Sequence, residues 1–303
     1  MRYAVVDVGT NSVKFVIAER GEDGSWTTVV DRADVTRLGE GLDEGGELQP
    51  EPIERTVEAV AAMVDEAREA GVAEIAAVGT AGLRIATNSA AFVDPVRERT
   101  GIEVEVISGE EESRLAYLAV TSALELGNGT LVVFDTGGGS SQFTFGRADR
   151  VEERFSVNVG AVRFTERFGL DGVVDEQTIA DAREAIAADL ERLRNRQSPD
   201  EVVGMGGAVT NLTAVKHELE TYDPSVIQGA TLEAAEADRQ IELYRTRTAD
   251  ERREIAGLQP KRAEVILAGA LIVRTVLAEL GRESLTVSDR GLRHGVLAER
   301  FGR

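Results

Sequence analysis

Two stretches of this chain repeat one pattern at a fixed offset, and that repeat limits the folds open to it. Val5-Val6-Asp7-Val8-Gly9-Thr10-Asn11-Ser12-Val13-Lys14-Phe15 near the start is matched by Val133-Phe134-Asp135-Thr136-Gly137-Gly138-Gly139-Ser140-Ser141-Gln142-Phe143 in the middle. Asp7 and Asp135, Gly9 and Gly137, Ser12 and Ser140, and Phe15 and Phe143 each lie 128 residues apart. In both copies an apolar run ends in an aspartate, turns through small residues and resumes as an alternating apolar strand. The pattern predicts a β-hairpin whose turn is open enough for a phosphate to sit against backbone N–H groups. The aspartate, at the mouth of the turn, is placed to hold a metal ion or its water. Taken singly, Gly-Thr-Asn-Ser reads as well as an ordinary turn, and Gly-Gly-Gly-Ser as a flexible linker. The matched register and the paired aspartates select the duplication. Two such hairpins predict two related domains closing on one phosphate chain from opposite sides.

A chain of 303 residues is long for one core and suits two domains. With 42% hydrophobic residues it is a folded globular protein, and with no cysteine it has neither disulfides nor thiolate metal sites. Apolar β-structure begins almost at Met1, leaving no room for a signal peptide, and no stretch approaches the roughly 20 apolar residues of a membrane span. These features predict a soluble cytoplasmic protein. A formal charge of −20 argues against nucleic-acid and anionic-membrane partners. Lys14, Lys216 and Lys261 are the only lysines. A GC-rich genome accounts for arginine over lysine but not for the excess of acid, which points to a salt-tolerant source.

Strands are expected over Tyr3 to Glu19 and Trp26 to Leu38, and a helix over Glu51 to Ala70, whose start is marked by Pro50 and Pro52. A short buried strand, Ile75 to Val78, ends in Gly79-Thr80-Ala81-Gly82-Leu83-Arg84. Ser108-Gly109-Glu110-Glu111 fits a capping box opening a helix through Leu124. The second half restarts at Leu131 to Asp135. Helices are expected near 175–196, 207–219, 231–244 and 260–280, and strands at Glu201 to Gly204 and Ser284 to Val287. The reading is α/β, with mixed central sheets in two domains, residues 1–120 and 121–303, and a cleft between them.

Four segments are candidates for that cleft: the two hairpin loops, Thr80 to Arg84, and the helix start Ser108 to Arg114. Thr80 offers a hydroxyl and Arg84 a bidentate fork to phosphate oxygens. Glu111 has a structural place as the capping-box carboxylate. Glu112 is free to orient and deprotonate a water, although Glu110-Glu111-Glu112 reads equally as a solvated helix N-terminus. Spacing alone does not choose between these. His217 and His294 sit in no ligand constellation and read as structural or solvated.

With these segments in hand the chain resembles a known family. Asp7-Val8-Gly9-Thr10-Asn11-Ser12, Gly79-Thr80 with Arg84, Ile107-Ser108-Gly109 with Glu111-Glu112 and Arg114, Asp135-Thr136-Gly137-Gly138-Gly139-Ser140, and Ser288-Asp289-Arg290-Gly291-Leu292-Arg293 occur in the order of the exopolyphosphatase/guanosine pentaphosphate phosphohydrolase family. That family lies within the actin-like (ribonuclease H-like) superfamily of sugar kinases and chaperone ATPases. The resemblance covers essentially the whole chain and implies two related actin-like domains without the extra C-terminal domains of longer members. It places the catalytic glutamate on Glu112 and an essential Mg²⁺ (or Mn²⁺) near Asp135, with Asp7 and Glu112 as further metal candidates. Gly9, Thr10, Asn11, Ser12, Arg37, Thr80, Arg84, Gly137, Gly138, Gly139, Ser140 and Gly207 become phosphate-binding candidates, and Arg114, Arg262 and Arg293 possible charge compensators. Gly204-Met205-Gly206-Gly207-Ala208 resembles a third glycine loop, with Ala208 where a threonine is common. Gln142 is the larger departure, since many members carry a glutamate there, and an amide supplies neither charge nor a base. The resemblance implies hydrolysis of terminal phosphoanhydride bonds of inorganic polyphosphate, with preference for short chains, or of guanosine pentaphosphate, by a homodimer. A non-catalytic polyphosphate or alarmone sensor is the alternative that Gln142 motivates; a superfamily ATPase or sugar kinase ranks behind both.

Overall fold

The computed structural model describes residues 1–42, 46–124, 126–148 and 150–302. The turn expected at Gly45 begins outside them. The chain divides into two compact units, Met1–Ser122 together with the segment from Leu292, and Ala123–Gly291.

In the first unit β1 (Arg2–Val8), β2 (Ser12–Arg20) and β3 (Trp26–Val35) form an antiparallel meander, and β4 (Glu74–Gly79) and β5 (Val104–Val106) add parallel to β1. The sheet order is β3-β2-β1-β4-β5. The middle of β1, from Ala4 to Val6, is continuously apolar because both its faces are covered. Ala4, Val6 and Val8 pack with Val60, Val64 and Val96 from helices Pro50–Glu69 and Ala90–Thr100. Val5 packs with Leu115, Leu292 and Val296 from helices Gly109–Thr121 and Leu292–Phe301.

That last helix corrects the expected boundary, which gave residues 121–303 to one domain. Leu292, Val296 and Leu297 complete the apolar layer on one face of the first unit's sheet. Gly295 permits the close approach, since a Cβ there would lie 1.9 Å from the Leu115 carbonyl oxygen. Polar groups pin the same helix. Arg293 Nη2 lies 2.7 Å and His294 Nε2 3.2 Å from the Asp31 carboxylate on β3, and Glu299 pairs with Arg114. Burial pushes the Asp31 carboxyl upward, but hydrogen bonds and charge from His294 and Arg293 outweigh it and hold it below the ordinary value.

The second unit repeats the pattern. β6 (Thr130–Thr136), β7 (Ser141–Arg147) and β8 (Arg150–Val157) are antiparallel, β9 (Glu201–Met205) runs parallel to β6, and β11 (Ser284–Val287) parallel to β9. β10 (Thr231–Glu233) extends the edge, giving β10-β11-β9-β6-β7-β8. The duplication seen in two hairpins is thus a duplication of whole mixed sheets, and the expected α/β class holds. Helix Ile266–Glu279 is apolar all round and is buried along almost its full length.

Local sequence misled in a few places. The helix expected at 231–244 begins with the strand β10 before helix Ala234–Arg245. Helix Ala161–Phe168 was not anticipated; Gly160 and Gly169 bracket it, and the Arg167 guanidinium covers the rings of Phe164 and Phe168 at 5.6 and 5.1 Å. The capping box at Ser108 is half formed. Ser108 Oγ accepts from the Glu111 N–H, but the Glu111 carboxylate bonds Arg114 instead. A complete box occurs at Thr248 and Glu251.

Candidate active site

The two hairpin turns are built alike. Gly9 N–H donates to the Ser12 carbonyl at 3.1 Å, and Gly137 N–H to the Ser140 carbonyl at 2.9 Å. A Cβ on Gly9 would meet that Ser12 oxygen at 2.9 Å, so the turn is closed to larger residues. Across the strands Asp7 pairs with Lys14, and Asp135 with Gln142.

In the first unit the loop is clasped from outside by the segment after β3. Arg37 N–H donates to the Asn11 carbonyl at 2.9 Å and Gly39 N–H to the Thr10 carbonyl at 2.8 Å. Arg37 has φ of +50°, a left-handed conformation that side chains seldom adopt and that its neighbours must hold. The Thr10 side chain is wedged between two glycines. A Cβ on Gly39 would lie 2.2 Å from Thr10 Cγ2, and one on Gly82 2.9 Å from Thr10 Oγ1. Gly39→Ala therefore displaces the loop. We expect kcat/KM for phosphate release to fall by about 10²-fold while the far-UV circular dichroism is unchanged; a rate within error of the parent would show that the clasp does not position the loop.

Behind the loop four charged side chains gather. Asp7 is buried, with 3% exposure, and Lys14 Nζ stands 3.8 Å from its Oδ2. Arg84 Nη1 donates to Glu112 Oε2 at 3.1 Å and to the Ile107 carbonyl at 2.9 Å, which leaves Nη2 and Nε as the donors able to reach a phosphate oxygen. Burial pushes the Glu112 carboxyl above the ordinary glutamate value; the Asp7 charge adds to this, and Arg84 and Lys14 offset part of it. Glu112 is thus a partly buried carboxylate that holds its proton more tightly than a free glutamate does, beside positive charge. The Thr80 hydroxyl is buried and donates to the Val8 carbonyl at 3.3 Å, so it braces the end of β1.

In the second unit the Gly137 and Gly138 carbonyls accept from the first N–H groups of helix Ala161–Phe168, Ala161 and Val162, each at 2.9 Å. Asp135 faces the third glycine loop, where Gly206, at φ of +85°, comes so near that a Cβ would lie 2.2 Å from Asp135 Oδ1. Arg262 lies over the next residue; a Cβ on Gly207 would meet its Nη2 at 2.5 Å. Its Nε is buried with no hydrogen-bond partner, and burial lowers the guanidinium's affinity for a proton against the opposing pull of Asp135. Sequence offered Arg262 only as one of several arginines. Of those, Arg114 is engaged by Glu111 and Glu299 and Arg293 by Asp31, which leaves Arg262 turned toward a glycine loop. Only the fold separates them.

The donor set suits a hard cation. Asp7 and Glu112 supply carboxylate oxygens, while among the described residues no three acidic, histidine or cysteine side chains form a closed cage. An ion held by one or two carboxylates, with its remaining sites left to water and phosphate, is the arrangement Mg²⁺ adopts.

A sequence profile described as the Ppx/GppA phosphatase family matches residues 16–303. The chain is 29% identical to Exopolyphosphatase 2 of Mycobacterium tuberculosis over 97% of each protein. It is likewise 29% identical to a bifunctional 3-dehydroquinate synthase/phosphatase of Fusobacterium nucleatum, over 98% of this chain but only 46% of that longer protein. Among solved structures, the type II variant of the Aquifex aeolicus Ppx/GppA phosphatase superposes with a TM-score of 0.88 at 34% identity, covering 98% of both chains.

Proposed function

The chain belongs to the Ppx/GppA phosphatase family, and on that basis we propose that it is an exopolyphosphatase, a phosphoanhydride hydrolase that removes terminal phosphate from inorganic polyphosphate. The observation that carries this reading is the cluster behind the first loop: Glu112 with its carboxyl raised by burial, bonded to Arg84 and close to Asp7 and Lys14. The near-full-length likeness to an exopolyphosphatase supports it.

In this mechanism the backbone of each glycine turn receives phosphate oxygens, helped in the first unit by Arg84 and Lys14 and in the second by Arg262, so that each unit offers a polyanion local positive contacts on a chain of net charge −20. Glu112 takes a proton from a water as its oxygen attacks the terminal phosphorus. The bridging P–O bond breaks, inorganic phosphate forms, and the polyphosphate leaves one unit shorter. Arg84 keeps Glu112 oriented and favours its ionised form. Asp7 and Glu112, or Asp135, would hold Mg²⁺, whose chemistry there would be neutralisation of phosphate charge.

The deciding assay is phosphate release, with Mg²⁺, from short-chain polyphosphate, guanosine pentaphosphate and ATP at low and molar salt. Turnover of short polyphosphate is expected to be fastest. Release from ATP alone would overturn the reading. Gln142 supports a second one, since a residue with a neutral amide, neither charge nor base, stands in the strand register opposite Asp135: tight polyphosphate binding without turnover would make the chain a sensor.

A further inference from the structure

The duplicated hairpins provide an internal comparison at one position. Opposite Asp7 the chain has Lys14, whose ammonium stays near that aspartate. Opposite Asp135 it has Gln142, and this side chain turns toward the loop. Gln142 Nε2 lies 2.8 Å from Ser140 Oγ and 3.4 Å from Ser156 Oγ, so its amide hydrogens go to two hydroxyl oxygens.

A serine hydroxyl has one hydrogen to give and two lone pairs to receive with. Once Ser140 Oγ has accepted from Gln142, its own hydrogen is left to donate. The neighbouring serine is committed elsewhere: Ser141 is fully buried and donates to the Val159 carbonyl at 2.7 Å. Ser140 is only half-buried and closes the turn that starts at Gly137. We infer that Gln142 is a positioning residue that fixes Ser140 as a hydrogen-bond donor to a phosphate oxygen of the bound substrate. The inference rests on the reading above that this turn receives phosphate.

The chemistry at residue 142 sets the direction of the bond. A carboxylate there would draw the Ser140 hydrogen to itself and turn the hydroxyl lone pairs toward the phosphate. An apolar side chain would leave the hydroxyl without direction. The amide alone both feeds the hydroxyl and adds no charge beside Asp135.

The test is calorimetric binding of inorganic tripolyphosphate with Mg²⁺ to the parent, Ser140→Ala, Gln142→Met, Gln142→Glu and the double variant Ser140→Ala/Gln142→Met. Each of Ser140→Ala and Gln142→Met is expected to weaken binding about five- to tenfold, the range for one directed hydrogen bond. In the Ser140→Ala background Gln142→Met should change binding by no more than about twofold, because the coupled partner is gone. Without Mg²⁺, Gln142→Glu should bind more weakly than Gln142→Met. Unchanged binding by Gln142→Met, an equal loss in the Ser140→Ala background, or tighter metal-free binding by Gln142→Glu would each overturn the inference. Turnover by the parent is scored apart. A parent that binds tripolyphosphate without hydrolysing it removes the hydrolase reading, and the binding cycle still decides the part played by Gln142.

Discussion

Glu112→Gln lowers phosphate release from short-chain polyphosphate by about 10² to 10⁴-fold, the contribution of a positioned general base, and leaves the fold intact. Glutamine keeps the shape and can still bond Arg84, so only the proton acceptor is removed. The pH dependence adds a second readout. The base works as its carboxylate, so kcat/KM rises with pH through the Glu112 ionisation, and burial places that limb above the ordinary glutamate range. Arg84, 3.1 Å away, holds the limb down, so Arg84→Gln moves it to higher pH. Stability carries the opposite signature. A carboxyl raised on folding binds its proton more tightly in the folded chain, so stability falls as pH climbs from the unfolded toward the folded value. Glu112→Gln removes that loss, and without added divalent metal the variant should melt no lower than the parent at neutral pH. A variant that keeps more than about a tenth of the parent rate would take the base role away from Glu112.

Arg252→Met destabilises the second unit by an amount on the order of 3–5 kcal/mol, the range reached when a buried hydrogen-bond network is broken. Arg252 is fully buried, and its guanidinium donates to four carbonyls: Gly172 at 2.7 Å, Leu170 at 2.8 Å, Tyr244 at 3.0 Å and Ala263 at 3.3 Å. Burial lowers its proton affinity to about 10, so it stays charged at neutral pH. One side chain thereby joins the end of helix Ala161–Phe168, the end of helix Ala234–Arg245 and the segment that carries Arg262. Methionine fills much of the volume but leaves every one of those carbonyls without its donor. Urea unfolding can separate the units, because the single tryptophan, Trp26, lies in the first. The circular-dichroism midpoint should drop while a Trp26 transition persists near its parent position. An unchanged circular-dichroism midpoint would mean that water replaces the guanidinium at little cost.

The loops and their aspartates were legible in sequence because a hairpin is local: strand, turn and strand are written in adjacent residues. Helix Pro50–Glu69 was legible for the same reason. Arg252 was not. In Asp250-Glu251-Arg252-Arg253-Glu254 it reads like any solvated charge, and its four acceptors lie 8 to 82 residues away. The brace that Thr80 gives β1 was not legible either, because its acceptor, the Val8 carbonyl, is 72 residues off. Arg262 was seen but not distinguished from Arg114 and Arg293, since partners rather than residue type decide which arginine is engaged.

Periodicity, the repeat at 128 residues and the small residues between the strands determined two mixed sheets, each with an open turn at the edge of an aspartate. Hydrogen bonding and apolar alternation along a strand are short-range and leave their mark on consecutive residues. The tertiary structure alone decided that the last helix belongs to the first unit, that Glu111 serves Arg114, and that burial raises Glu112 while Arg84 restrains it. Those outcomes depend on which distant groups share a low-dielectric neighbourhood, and no local pattern of residue types records that.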